Sequence, residues 1–207
     1  MSVNSQIFLI LLVFSLGLIG VYHWGMRYNL RLCRKWAHIL EEFFSPQEKE
    51  YTWLGGVIGF TAEYKVPPFR QVKVVLRLVP RHSLLYWPFA FFMGRRDCLQ
   101  ILFYLPQGVK EEVHLIRKSL RIPHISNQAK LKRQRLHLQG MPFILLFEKE
   151  PPAFVQSIAA HCLSGLKHLA FTKENNICYL ELFLKEKELG KLIKACLDIL
   201  LKLKIHD

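Results

Sequence analysis

The sequence predicts an α+β protein, with a single N-terminal transmembrane helix followed by a cytosolic domain of antiparallel hairpins with covering helices. Three observations predict it. Residues 7–26 form an apolar run without Lys, Arg, Asp or Glu. Short runs of β-branched and aromatic residues then recur between Pro, Gly and Asn turn signals. Two stretches, 29–44 and 186–204, carry apolar side chains at helical spacing with charges on the other faces.

The apolar run, IFLILLVFSLGLIGVYHWGM, is about 20 residues long, enough for a helix to cross a hydrocarbon core of about 30 Å. A helix also satisfies every backbone polar group within one segment. Tyr22 and Trp24 close the run, where amphipathic rings suit the headgroup zone. A cleaved signal peptide fits less well, because Met1 to Gln6 has no basic side chain and the run exceeds a typical h-region. A buried core helix is usually shorter and patterned. Arg27, Arg31, Arg34 and Lys35 follow at once, so the positive-inside rule predicts an outward N-terminus and a cytosolic 27–207. The expected division is an extracytoplasmic 1–6, a transmembrane helix 7–26, a basic amphipathic juxtamembrane helix 27–46 and an α+β domain 47–207.

The 207 residues include 29 Lys plus Arg against 16 Asp plus Glu, a net charge of +13. All of these charges follow residue 26, and about 180 residues suffice for a real core. A basic domain beside a membrane has two natural partners, the anionic inner leaflet and nucleic-acid phosphate. Composition does not separate them. The five cysteines are dispersed without a CxxC, which fits reduced thiols buried as small hydrophobes.

In 29–44 the apolar stripe is Leu32, Trp36, Ile39, Leu40 and Phe43, and Ser45-Pro46 ends the helix. It either continues the anchor or lies on the membrane surface, as a lipid-binding collar or as a helix packed on the following domain. Tyr51 to Lys65 alternates as one strand, bulged or tightly packed at Gly55, Gly56 and Gly59. These glycines match neither a P-loop nor GxGxxG. Pro67-Pro68 turns the chain into a second strand, Val72 to Val79. Ser83 then caps a short helix, LLYWPFAFFM, which Pro88 kinks and Gly94 ends. Its aromatics Tyr86, Trp87, Phe89, Phe91 and Phe92 are candidates for membrane or partner contact, flanked by Arg81, Arg95 and Arg96. The competing reading is a core helix. Strands follow at Asp97 to Leu105 and Val113 to Arg117.

Residues 117–135 carry Arg117, Lys118, Arg121, Lys130, Lys132, Arg133 and Arg135 without an acid. This is the strongest polyanion signal in the chain, and the competing reading is a solvated loop with a helix start. Few aromatics interleave these charges, which favours contacts to RNA backbone phosphate or lipid headgroups over base stacking. PFILLFEK is a buried strand, Pro151-Pro152 starts a helix, and strands at Leu166 to Thr172 and Ile177 to Leu184 meet at Asn175-Asn176. A final amphipathic helix runs from Glu186 to Lys204.

Nine histidines invite a metal site, but the densest group, His161, Cys162 and His168, lacks a four-ligand zinc spacing. No GxSxG, HExxH or kinase motif occurs, so no catalytic residue, metal, cofactor or small-molecule substrate is expected.

VVLRLVPRHSLLYWPFAFFMGRRDCLQILFYL, and later AFVQSIAAHCLSGLKHLAFTKENNICYLELFL, resemble the cytosolic domain of the calumin family of endoplasmic reticulum membrane proteins. The shared pattern is a strand ending in basic residues (Arg77 to His82), a Leu-Leu opening a short helix (Leu84-Leu85) and a strand restarting after Asp97. The resemblance implies a globular α+β domain under the membrane. It also implies a non-enzymatic factor that binds ribosomes and works with translocon or insertase subunits on nascent multipass proteins. Without the family's acidic lumenal segment and Lys-rich coiled-coil tail, this chain is expected to be a minimal form. Its place would be the plasma membrane in a prokaryote or the endoplasmic reticulum in a eukaryote.

Overall fold

A computed structural model describes residues 3–84, 86–106, 108–118, 125, 130–150, 165–184, 190, 193 and 194. It contains a long N-terminal helix, α1 (Val3–Phe44), and a nine-stranded antiparallel sheet. The strands are β1 (Glu48–Trp53), β2 (Gly59–Lys65), β3 (Gln71–Arg77), β4 (Cys98–Tyr104), β5 (Val113–Arg117), β6 (Lys132–Leu138), β7 (Met141–Phe147), β8 (Leu166–Thr172) and β9 (Ile177–Phe183). Between β3 and β4 lies a short helix, α2 (Tyr86–Phe92). The spatial order is β1-β2-β3-β4-β9-β8-β5-β7-β6. The α+β class is therefore as the sequence predicts.

α1 is one 42-residue helix, about 63 Å long at 1.5 Å per residue. Its apolar part is long enough to cross a membrane or to serve as a signal sequence, and the 18-residue window that qualifies it is not buried by the domain. Burial begins at Gly25 and continues through Asn29, Cys33, Trp36, Leu40 and Phe44, a stripe at three- and four-residue spacing. Arg27, Arg31, Arg34 and Lys35 are exposed. Residues 27–44 thus continue the apolar helix and pack on the sheet through this stripe.

The stripe covers one sheet face. Cys33, Trp36, Leu40 and Phe44 share a core with Phe60, Tyr64, Val74, Leu76, Ile101, Phe103, Leu180 and Leu145. Asn29 meets the C-terminal end of β3, where its Nδ2 donates to Val79 O. Phe44 reaches the other end of the strands, with ring centroids 5.9 Å from Tyr64 and 6.2 Å from Phe103. The lengths match, since fifteen helical residues and a seven-residue strand each span about 23 Å. α1 therefore runs the full length of the strands. The end beside Asn29 is called proximal below, and the end beside Phe44 distal.

Two expectations change. Tyr51 to Lys65 is not one strand: Leu54 to Ile58 form a turn between β1 and β2, with Gly55 and Gly56 at positive φ of 92° and 52°. Gly59 is the tight approach, because a Cβ there would lie 1.9 Å from Leu76 O. Pro88 stands third in α2, in the first turn of its assigned span, where proline is best tolerated. The solvated-loop reading of residues 117–135 also changes, because residues 132–135 belong to the edge strand β6, paired with β7 from Lys132↔Phe147 to Leu138↔Met141. The helix expected after Pro151-Pro152 lies outside the described residues, as do Arg121, His161 and Cys162. Of the final amphipathic helix only Gly190, Ile193 and Lys194 are described, with Ile193 in the main core.

Candidate membrane-interface site

The proximal end of the sheet is built around the crossover from β3 to β4. Arg81 leaves β3 and makes a two-pronged ion pair with Asp97, Nη2 to Oδ2 at 2.6 Å and Nη1 to Oδ1 at 3.2 Å. Such fork-to-carboxylate geometry fixes orientation as well as charge. Asp97 Oδ1 also accepts from Val79 N at 2.8 Å, and Arg81 Nη1 donates to Asn29 Oδ1 at 3.0 Å. Arg81 further lies over the Tyr28 ring, 5.2 Å from its centroid. A helix residue, a loop residue and a strand-flanking residue thus form one network that clamps α1 to the crossover.

Gly25 shows how close the two approach. A Cβ at this position would lie 2.4 Å from Arg81 O, so only glycine fits. One turn earlier, Tyr22 meets His82 edge-on at 5.8 Å. The crossover therefore sits beside residues 22–29 of α1, where the apolar run gives way to the basic one.

From this clamp the chain enters α2. Ser83 caps it as expected, its Oγ accepting from Tyr86 N at 3.4 Å. Gly94, at φ 67°, ends it with paired bonds from Arg95 N to Ala90 O and Gly94 N to Phe91 O, both 2.9 Å. Only Ala90 of α2 is buried. Phe91 and Phe92 are 76% and 86% exposed, and Trp87 and Phe89 are also open. Four of the five aromatics singled out from sequence are therefore not core residues, and the fifth, Tyr86, is half-buried. Trp53 and Leu54, in the β1–β2 turn at the same end of the sheet, are exposed as well.

Among the described residues, the predicted polyanion side chains lie on and beside two strands, β5 and β6, with β7 between them. Lys130, Lys132, Arg133 and Arg135 are exposed along the β6 edge. Charged side chains there also discourage edge-to-edge association. Arg117 lies at the proximal end of β5, over the Phe183 ring at 5.9 Å, and Lys118 beside it is exposed.

A second polar group lies on the sheet face opposite α1. His114 and His168 face each other, Nδ1 to Nε2 at 3.3 Å, and His114 Nε2 is 3.1 Å from Glu112 Oε1. Burial, with His114 nearby, pushes His168 down to about 3, so it is neutral near pH 7. Lys167 pairs with Glu181 at 2.7 Å alongside. Sequence reading missed this group because its histidines stand 54 positions apart. Among the described residues no three His, Cys, Asp or Glu side chains are placed to hold a metal ion. Burial pushes the Cys33 thiol up to about 11, which leaves it protonated and unreactive at neutral pH.

No protein-family model and no curated protein matches this sequence.

Proposed function

We propose that the protein is a single-pass membrane protein with its N-terminus outside and its domain in the cytosol, proximal end on the bilayer. In this reading it associates with ribosomes and assists the insertion or folding of multipass membrane proteins, without enzymatic activity. The observation that carries the proposal is the segregation of exposed apolar side chains. Outside α1, the exposed large hydrophobic residues among those described are Trp53, Leu54, Leu84, Trp87, Phe89, Phe91, Phe92 and Met93. They occupy the β1–β2 turn and the β3–β4 crossover, both at the end where α1 leaves the sheet. A large apolar patch of this kind marks a lipid or partner contact. In this reading α2 lies in the interface beside the anchor, where a transmembrane segment entering the bilayer would meet both.

The β6 charges favour RNA over lipid as their polyanion. β6 runs from Lys132 distally to Leu138 proximally, which places Lys132 about 20 Å from the proximal end. A membrane's surface potential decays over about 8–10 Å at physiological salt, so Lys132 stands beyond it. Co-sedimentation of the full chain in nanodiscs with ribosomes tests the reading. Binding that weakens with salt, and that K132E/R133E/R135E loses while remaining folded, is expected. No binding at low salt by the folded chain would overturn the ribosome association. A photocrosslinker at position 92 should capture nascent transmembrane segments in the same preparation.

A further inference from the structure

We infer that the cleft beneath α2 binds the phosphate headgroup of an anionic phospholipid. The inference rests on the bilayer placement proposed above and is independent of the ribosome association. The cleft has a volume of about 290 Å³ and is walled by Trp87, Phe91 and Phe183. Among the described residues, Arg81, Arg95 and Arg96 also line it, together with one acid, Asp97. That acid is already held by both prongs of Arg81, so the pair contributes little net charge. Arg95 and Arg96, both exposed, leave the cleft cationic.

The surroundings reinforce the charge. Arg96 lies over the Phe183 ring at 5.8 Å, and Arg117 lies over the same ring at 5.9 Å. Arg95 bonds the Tyr86 hydroxyl, which supplies no compensating charge, and sits over that ring at 5.5 Å. Between Val66 and Arg96 the sequence holds no acid at all. Guanidinium forks match phosphate oxygens, and the aromatic walls suit the glycerol and first acyl carbons. The volume admits a headgroup and the start of its chains, not a whole lipid. Position selects the source of the phosphate, because the cleft opens under exposed Phe91 at the level where α1 turns from apolar to basic. This site is distinct from the β6 edge, which lies at the far side of the sheet from β1 and has its Lys132 end distal.

Electron spin resonance of the full chain in phosphatidylcholine nanodiscs, with trace spin-labelled lipids, tests the assignment. A larger motionally restricted component for phosphatidylglycerol than for phosphatidylcholine is expected. R95Q/R96Q should lower that preference about five-fold per positive charge removed, whereas R95K/R96K and K132Q/R133Q/R135Q should retain most of it. No preference in the unmodified chain would overturn the site, as would a preference lost in the β6 variant but kept in R95Q/R96Q. Competition by millimolar inorganic phosphate would make it a free-anion site and overturn the lipid assignment. A chain that fails to enter nanodiscs would overturn the bilayer placement and this inference together. Normal entry without preference would overturn the inference alone.

Discussion

Replacing Gly25 by alanine is expected to loosen the joint between α1 and the β3–β4 crossover. In an exposed helix interior the same change stabilises by about 0.5–1 kcal/mol, because glycine loses more backbone entropy on folding. At Gly25 the new Cβ would lie 2.4 Å from Arg81 O and 2.6 Å from His82 N, against 3.4 Å or more for ordinary contact. Backbone atoms cannot rotate aside, so helix and loop must part by about 1 Å. That movement strains the Asn29 to Val79 bond at 2.9 Å and the Arg81 to Asn29 bond at 3.0 Å. Overpacking of this kind costs about 1–3 kcal/mol, which exceeds the propensity gain and leaves a net loss of about 1–2 kcal/mol. Gly17 and Gly20, where an added Cβ meets nothing within 4 Å, serve as internal controls. Urea unfolding of the full chain in detergent would be compared for the three alanine variants. A G25A midpoint at or above wild type, alongside G17A and G20A, would refute the clamp.

Two further outcomes follow from buried polar groups. His168 titrates near 3 when folded and near 6.5 otherwise, so between those values the unfolded state binds more protons and stability rises with pH. Its contribution is complete above about pH 6.5, and about 2 kcal/mol is lost between pH 7.5 and 5. Denaturation at both pH values should show this loss, and His168→Gln should flatten it; an unchanged slope in that variant would refute the assignment. Asp97→Asn leaves the part-buried Arg81 guanidinium without its carboxylate while keeping an oxygen for Val79 N, and should cost about 2–3 kcal/mol. A double-mutant cycle with Arg81→Gln should recover a coupling above about 1 kcal/mol; additive losses would place the two side chains apart.

The elements were largely legible because they follow from local chemistry. Alternation and Pro or Asn turns place β3, β4, β5, β8 and β9 within about two residues of the sequence reading. The Ser83 and Gly94 caps of α2 were readable for the same reason. The β1–β2 turn was missed because Gly55, Gly56 and Gly59 interrupt a pattern that otherwise alternates through. β6 was missed because an edge strand exposes both faces, and KRQR offers no period-two hydrophobic signal. The aromatic helix could be named from sequence but not assigned to core or surface. Burial of Phe91 or Phe92 depends on what packs above it, and spacing along the chain does not record that.

By itself the sequence determined the long apolar helix, the α+β class, the basic balance and the candidate residues, because composition and periodicity are local properties. Only the tertiary structure decided how these are arranged. It set β4 beside β9, across 77 positions at the Leu102↔Tyr179 pair. It brought Gly25 against Arg81 and joined His114 to His168. It also gathered the exposed aromatics at the end of the sheet from which α1 departs. These pairings come from long-range strand register and from the match between helix and strand lengths, which no short window of sequence encodes.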